Sequence, residues 1–206
     1  MVEVVKVDRG ARRKARTRQK LLDAARTLFS QGPLEETSIV EITDAADVGL
    51  GTFYNHFESK AELLKALADE YLISYAEGLD SLIAEVSDPA MIFCLSYRYT
   101  IRTAADPAAW AIVTQMPQMF VRSYLEARSL ADIKMGASTG RFTLKDVDSF
   151  GSFLSYSIMG VMGGLADGSL TLEQAEYFGG YYLQQLGLDS KEAESLLAEP
   201  MPELAG

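Results

Sequence analysis

Apolar residues recur three and four apart along most of the chain, and strict two-residue alternation is almost absent, so the pattern predicts helices throughout. Leu21, Leu22, Ala25, Leu28 and Phe29 fall on one helical face, and Gly32-Pro33 supplies the stop. They predict a first helix of about 15–20 residues. Ser38-Ile-Val-Glu41 is a capping box, in which the serine oxygen and the glutamate each satisfy a backbone N–H, and it opens a second helix over 38–46. Asp47-Val-Gly49 interrupts, and Leu50 to Phe57 makes a short third helix. Ser59-Lys-Ala-Glu62 is another capping box and begins a fourth helix that runs to about Val86.

Farther along, Asp88-Pro89 and Asp106-Pro107 each place an N-cap carboxylate before a proline at the first helical position. Met116-Pro117 marks a break. Thr143-Leu-Lys-Asp146 and Thr171-Leu-Glu-Gln174 read as further caps, predicting helices over 145–166 and 172–187, with a short last one over 190–198. The fold expected is all-α, about nine to ten helices in total. With no internal repeat or Gly/Ser linker, the fourth helix itself is expected to join two parts. Ser149 to Ala166 carries no charge, but Ser and Gly dilute it below the roughly 20 predominantly apolar residues of a membrane span, so a helix packed on another helix is expected.

Composition sharpens this picture in two ways. With 206 residues, 48% apolar and 23% charged, the chain can build a sizeable core, and its net charge of −10 excludes a uniformly basic nucleic-acid coat protein. That charge is unevenly spread: residues 1–60 carry 10 basic and 9 acidic side chains, whereas residues 61–206 carry 9 and 20. Between Arg9 and Arg26, eight basic side chains face only Asp23. One cysteine, Cys94, and one histidine leave few ligands for a zinc or iron site, so no metal or cofactor is expected, and the compartment reads as reducing and cytoplasmic. The first residues do not read as a signal peptide. No Gly-rich phosphate loop and few nucleophile–base pairs speak against an enzyme.

Two short helices separated by about three residues and preceded by a basic amphipathic helix have the layout of a helix-turn-helix DNA reader. Within it, Thr37 to Leu64, with its Gly51-Thr-Phe-Tyr-Asn-His-Phe57 core followed by Ser59-Lys60, closely resembles the DNA-binding signature of the tetracycline-repressor (TetR) family of bacterial regulators. The resemblance implies a DNA-binding domain over 1–58, comprising the basic arm and helix-turn-helix, and a helical ligand-binding and dimerisation domain over 59–206. Asp47 stands where the family commonly has a turn glycine, and Gly49 where a serine or threonine usually caps the recognition helix. Asp tolerates left-handed backbone geometry and Gly is an acceptable N-cap, so the motif is expected to survive both.

Chemistry and resemblance together assign expected roles. Val40, Ile42, Ala45, Ala46, Val48, Phe53 and Phe57 are expected in the core. Leu50, Gly51, Thr52 and Asn55 would face base edges in the major groove, with Asn55 able to make a bidentate contact to adenine. Tyr54, His56 and Lys60 match family positions that contact phosphates, and Thr37 and Ser38 could combine capping with a phosphate bond. The arm from Arg9 to Arg18, including Arg12, Arg13 and Arg16, would track the backbone or enter the minor groove.

In the second part the resemblance implies a ligand cavity, for which Tyr71, Tyr75, Phe93, Tyr97, Trp110, Met116, Phe120 and Tyr124 are the candidate walls; core packing is the alternative for each. Aromatic and methionine-rich walls suit a mostly apolar or aromatic small molecule. Arg98 and Arg102, one turn apart, read first as exposed, with a carboxylate anchor as the alternative. Phe153, Gly160 and Gly164 on the uncharged helix, with Phe178 and Tyr182 on the next, would form a two-fold four-helix interface, as in the family. The expected function is a ligand-responsive transcriptional regulator, first of all a repressor, that binds palindromic double-stranded operator DNA as a homodimer. The alternatives are a small-molecule binding module with vestigial DNA heads and an activator of the same fold.

Overall fold

The computed structural model describes residues 9–32, 34–104, 106 and 126–202, and the regular elements among them are all helices. The described residues divide between Asp69 and Glu70 into two compact units. Trp110, Met116, Phe120 and Tyr124, expected as cavity walls, lie outside the described residues.

Unit 1 begins with α1 (Arg9–Gln31), which is longer than the apolar pattern predicts because it takes in the whole basic stretch. The expected arm is therefore a helix. Arg, Lys, Gln and Ala are good helix formers, and the first turns carry no apolar stripe that periodicity could register. Beyond Lys20, Leu21, Leu22, Ala25 and Phe29 are buried, with α1 packed on α2 (Ile39–Ala45) and α2 in turn on α3 (Leu50–Tyr54). Ile42, Ala46, Phe53 and Phe57 complete this core as expected, while Val40 is 53% exposed and Ala45 is also exposed, both on the outer side of the short α2. Val48 is half-buried. The Arg18 guanidinium lies 5.1 Å from the centroid of the Phe57 ring, a cation–π contact that ties α1 to the chain after α3.

The caps form largely as the sequence predicts. Ser38 and Glu41 make the reciprocal capping box of α2. Between α2 and α3, Asp47 adopts φ 53°, the left-handed geometry that its family glycine position requires, and Gly49 caps α3 without a side-chain bond. Ser59 Oγ accepts from Glu62 N at 3.2 Å, starting α4 (Lys60–Ile83), which contributes residues to both units.

In unit 2 the remainder of α4 is followed by α5 (Pro89–Ala104), α6 (Glu126–Ser138), α7 (Val147–Ala166), α8 (Leu172–Gln185) and α9 (Ser190–Ala198). Helix α5 is buried on nearly every face, with α6, α7, α8 and α9 all packed on it. Arg98 is consequently buried, contrary to its expected exposure. Its Nη1 donates to the Glu199 carbonyl at 2.6 Å and its Nε lies 3.4 Å from Glu176 Oε2, while Arg102 pairs with the same Glu176. These arginines fasten α8 and the end of α9 to α5. The cap of α7 is Asp146, accepting from Ser149 N at 3.1 Å, rather than Thr143, whose N–H bonds to the Leu186 carbonyl. Thr171 and Gln174 form the expected capping box of α8. No described helix is long and apolar enough to cross a membrane.

Candidate nucleic-acid interface and interior cavity

The face of unit 1 that carries α3 is polar and open. Leu50 is 46% and Tyr54 56% exposed, Gly51 has no atom within 4 Å of where a Cβ would stand, and Asn55 is exposed at the C-cap. Lack of a side chain at Gly49 and Gly51 lets another molecule approach the backbone closely. Beside α3, the early turns of α1 form one wall of a groove lined by Gly10, Arg13, Lys14, Thr17, Thr52, Asn55 and His56. Two cations and four neutral polar side chains face this space, with no carboxylate among the described lining residues. His56 Nδ1 is buried there without a hydrogen-bond partner. Burial, together with the charges of Lys14 and Arg18, holds the His56 pKa below its ordinary value, so the free imidazole favours its neutral form.

Arg12 and Arg16 are exposed on α1 outside that groove lining. Ser38 is exposed and engaged with Glu41, while Thr37 is half-buried. Lys60 is placed differently from a free phosphate ligand: its Nζ donates to the Leu34 carbonyl and lies 3.4 Å from the Glu35 carbonyl. The ammonium thus satisfies the turn between α1 and α2, a role that no local sequence signal indicates because the partners are 26 residues apart.

Unit 2 contains a narrow cavity between α4, α5, α6 and α7, with a volume of about 30 Å³. Of the expected walls, Tyr75, Phe93 and Tyr97 line it. Tyr71 is half-buried, its ring 6.3 Å from that of Tyr75, and is not among the lining residues. Sequence reasoning missed Leu79, Ser96, Thr100, Arg128, Ser129, Asp132, Leu154 and Ile158. A signal existed for part of this set, since Phe93, Ser96, Tyr97 and Thr100 follow the three-and-four spacing of one helical face. Tyr75 Oη and Thr100 Oγ1 lie 2.5 Å apart, and the Tyr97 hydroxyl donates to the Ala175 carbonyl at 2.6 Å. Burial raises the pKa of both Tyr75's neighbour Tyr71 and Tyr97, keeping these phenols protonated.

The exposed side of α7 and α8 is rich in aromatic rings. Phe153 (57%), Tyr156 (73%), Tyr177 (56%) and Tyr181 (51%) project from it, and Gly160 opens on free space. A broad groove lined by Phe150, Phe153, Gly160, Val161, Phe178, Tyr181 and Tyr182 runs between the two helices. Tyr182 is mostly buried, with its ring 5.2 Å from Tyr97 in an edge-on arrangement. A Cβ at Gly164 would come within 2.7 Å of Leu170 Cδ1, so this glycine admits a close contact within the chain.

Comparison with known proteins fits both halves. The family described as bacterial regulatory proteins, tetR family, matches residues 21–67, and the tetracyclin repressor-like C-terminal domain matches residues 88–199. The HTH-type transcriptional repressor KstR2 of Rhodococcus jostii (strain RHA1) is 40% identical over 76 residues, 33% of this chain and 37% of its own length. An uncharacterized HTH-type transcriptional regulator of Mycobacterium tuberculosis (strain CDC 1551 / Oshkosh) is 31% identical over 110 residues, 52% of this chain and 54% of its own length. The alignments therefore span about half or less of these curated relatives. Among solved structures, RolR in complex with its ligand resorcinol is 29% identical with a TM-score of 0.73, covering 95% of this chain and 100% of that one. RolR without ligand gives a TM-score of 0.70 over 91% and 100%.

Proposed function

Because this chain belongs to the tetR family of bacterial regulatory proteins, we propose that it is a ligand-responsive transcriptional repressor that binds a palindromic operator as a homodimer. The observation that carries the DNA reading is the groove between α1 and α3, where Arg13, Lys14, Thr17, Thr52 and His56 present donors and positive charge beside the exposed start of α3. In this reading Leu50, Gly51, Thr52 and Asn55 meet base edges in the major groove, and Arg12, Arg13, Arg16, Tyr54 and His56 hold phosphates. Lys60, with Thr37 and Ser38, contributes mainly by fixing the elements that carry these residues, leaving their remaining hydrogen-bond capacity for the backbone of the DNA.

The second copy covers the aromatic side of α7 and α8, where Phe153, Gly160 and Phe178 offer the apolar, closely approachable surface that a two-fold helical interface needs. Two heads then meet half-sites one helical turn, about 34–36 Å, apart or a multiple of that. The effector occupies the cavity of unit 2 once its walls part, since the present space of about 30 Å³ holds little more than one or two waters. Phe93, Leu79, Leu154 and Ile158 favour an apolar or aromatic guest, and the likeness to RolR with its resorcinol supports a small aromatic one. An effector that prefers the conformer with the wrong head separation releases the operator, to the extent of its differential affinity. Helix α4, which contributes to both units, is the lever.

A gel shift of the protein on DNA upstream of its own gene tests this reading. A discrete complex at low salt that weakens steeply with added salt is the expected result. No complex, with folded dimer verified, would sink it and favour a binding module whose heads are vestigial.

A further inference from the structure

A second group of cations on α1 lies outside the groove in which DNA binding was placed above. Arg13 and Lys14 line that groove, on the side of α1 that also carries Gly10 and Thr17. At about 3.6 residues per turn, Arg9, Arg12, Arg16 and Lys20 fall together on another side. That side is about a quarter turn from the groove residues and opposite the buried Leu21, Leu22, Ala25 and Phe29. All four cations are exposed, and among the described residues none of them forms an ion pair. The stripe runs about 16 Å along the helix axis. It precedes Leu21, where the match to the family begins.

Local energetics work against such a stripe unless an anion covers it. The first turn of α1 carries no acidic residue, so Arg9 and Arg12 sit at the positive end of the helix macrodipole. Arg12 with Arg16, and Arg16 with Lys20, are like charges one turn apart, and each pair weakens the helix. Phosphates along the stripe reverse both effects. Shape decides how they are met. An α-helix with its side chains is about 10–12 Å across and the minor groove about 6 Å wide, so these turns cannot thread the minor groove as an extended arm would. Laid along the outside of a duplex, the stripe finds a phosphate about every 3.4 Å of axis on one strand, enough for one phosphate per cation.

We propose that Arg9, Arg12, Arg16 and Lys20 form a second DNA-contacting ridge, whose partner is the phosphate backbone of the duplex flanking the half-site on which the groove docks. This rests on the groove reading of DNA binding given above. Groove and α3 hold the half-site, while the ridge, aimed a quarter turn away, reaches phosphates that they do not. Because it meets phosphates alone, the ridge adds affinity without regard to the flanking sequence. The protected stretch of DNA therefore extends past the palindrome on both sides.

Fluorescence anisotropy of the full chain on two labelled duplexes tests the ridge. One duplex is the upstream palindrome trimmed to its half-sites, and the other carries about 10 bp, one helical turn, of unrelated sequence at each end. The wild type should bind the extended duplex at least about tenfold tighter at low salt, with a log–log salt slope steeper by about 0.9 for each further phosphate neutralised. Replacing all four residues by Gln, a comparable helix former, should cut the gain from the flanks to about twofold or less. Replacing Arg9, Arg12 and Arg16 by Lys, which keeps the charge, should retain it. Equal wild-type affinity for the two duplexes, a full gain in the Gln variant, or loss of the gain in the Lys variant would overturn the ridge while leaving the groove reading in place. Self-association of the wild type without DNA, abolished in the Gln variant, would assign the stripe to an acidic surface of another copy and overturn the proposal. Binding of neither duplex by the folded dimer would overturn the groove reading and this inference with it.

Discussion

The Lys60 ammonium donates to the carbonyl oxygen of Leu34, joining the first residue of α4 to the turn that leads into α2. This bond makes a residue of the DNA-binding signature part of the frame of unit 1. Replacing Lys60 by Ala removes the charged one of two donors to the Leu34 carbonyl, the Thr37 N–H remaining at 3.3 Å, and the expected cost is about 1 kcal/mol of stability for a partly exposed bond. Operator affinity should fall as well, equally for all sequences. Chemical denaturation without DNA separates the two effects: an unchanged midpoint for Lys60→Ala would mean that the residue serves DNA alone.

Asp47 carries φ 53° at the turn between α2 and α3. A β-branched residue tolerates that geometry poorly, so Asp47→Val should destabilise unit 1 by about 1–2 kcal/mol, whereas Asp47→Gly should be neutral or stabilising. Thermal melting of both variants checks the pair. Equal melting temperatures would show that the turn relaxes to an ordinary conformation.

Operator binding should depend on pH through His56. In the free protein burial, Lys14 and Arg18 lower its pKa, and Arg13 lines the same groove. A phosphate docked there reverses the field and raises the pKa, so binding takes up a proton and affinity rises as pH falls through the ordinary histidine range. The gain is up to about tenfold per pH unit for each proton taken up. His56→Gln should flatten the profile, which is measured by DNA anisotropy between pH 5.5 and 8, a window of about that width around the histidine value.

Stability of unit 2 should fall in acid for a separate reason. Arg141 bonds Asp88 at 2.7 and 3.0 Å and Glu192 at 2.7 Å, joining the start of α5 to α9. Asp88, with Arg141 as first cause, has its pKa lowered on folding. The stabilisation is therefore present above the unfolded carboxylate value and lost as pH falls through the depressed one. Arg141→Ala should cost about 1 kcal/mol, since the network is only partly buried, and should flatten the acid limb of a stability-versus-pH curve. A wild-type acid limb in Arg141→Ala would show that other carboxylates carry the effect.

What the sequence revealed and what it concealed divide along physical lines. Ser38 with Glu41, Thr171 with Gln174 and Asp88 before Pro89 were legible because a cap is satisfied within four residues. So was the core of unit 1 around Phe53 and Phe57. The helical state of Arg9 to Arg18 was not, since a helix without an apolar stripe leaves no periodic trace. Arg98 looked exposed because its burial depends on Glu176 and the Glu199 carbonyl, far along the chain. Asp132 and Ser96 were missed for the same reason: only the packing of α5, α6 and α7 turns them toward one space.

The central claim is that an aromatic guest in unit 2 controls DNA binding by unit 1. Its most direct test is the dissociation constant of a labelled palindromic duplex from the upstream region, measured by anisotropy with and without saturating resorcinol. DNA binding should be weaker with resorcinol, by at least about fivefold, the lower end of ordinary allosteric coupling. An unchanged constant, while calorimetry on the same sample shows the cavity occupied, would contradict it.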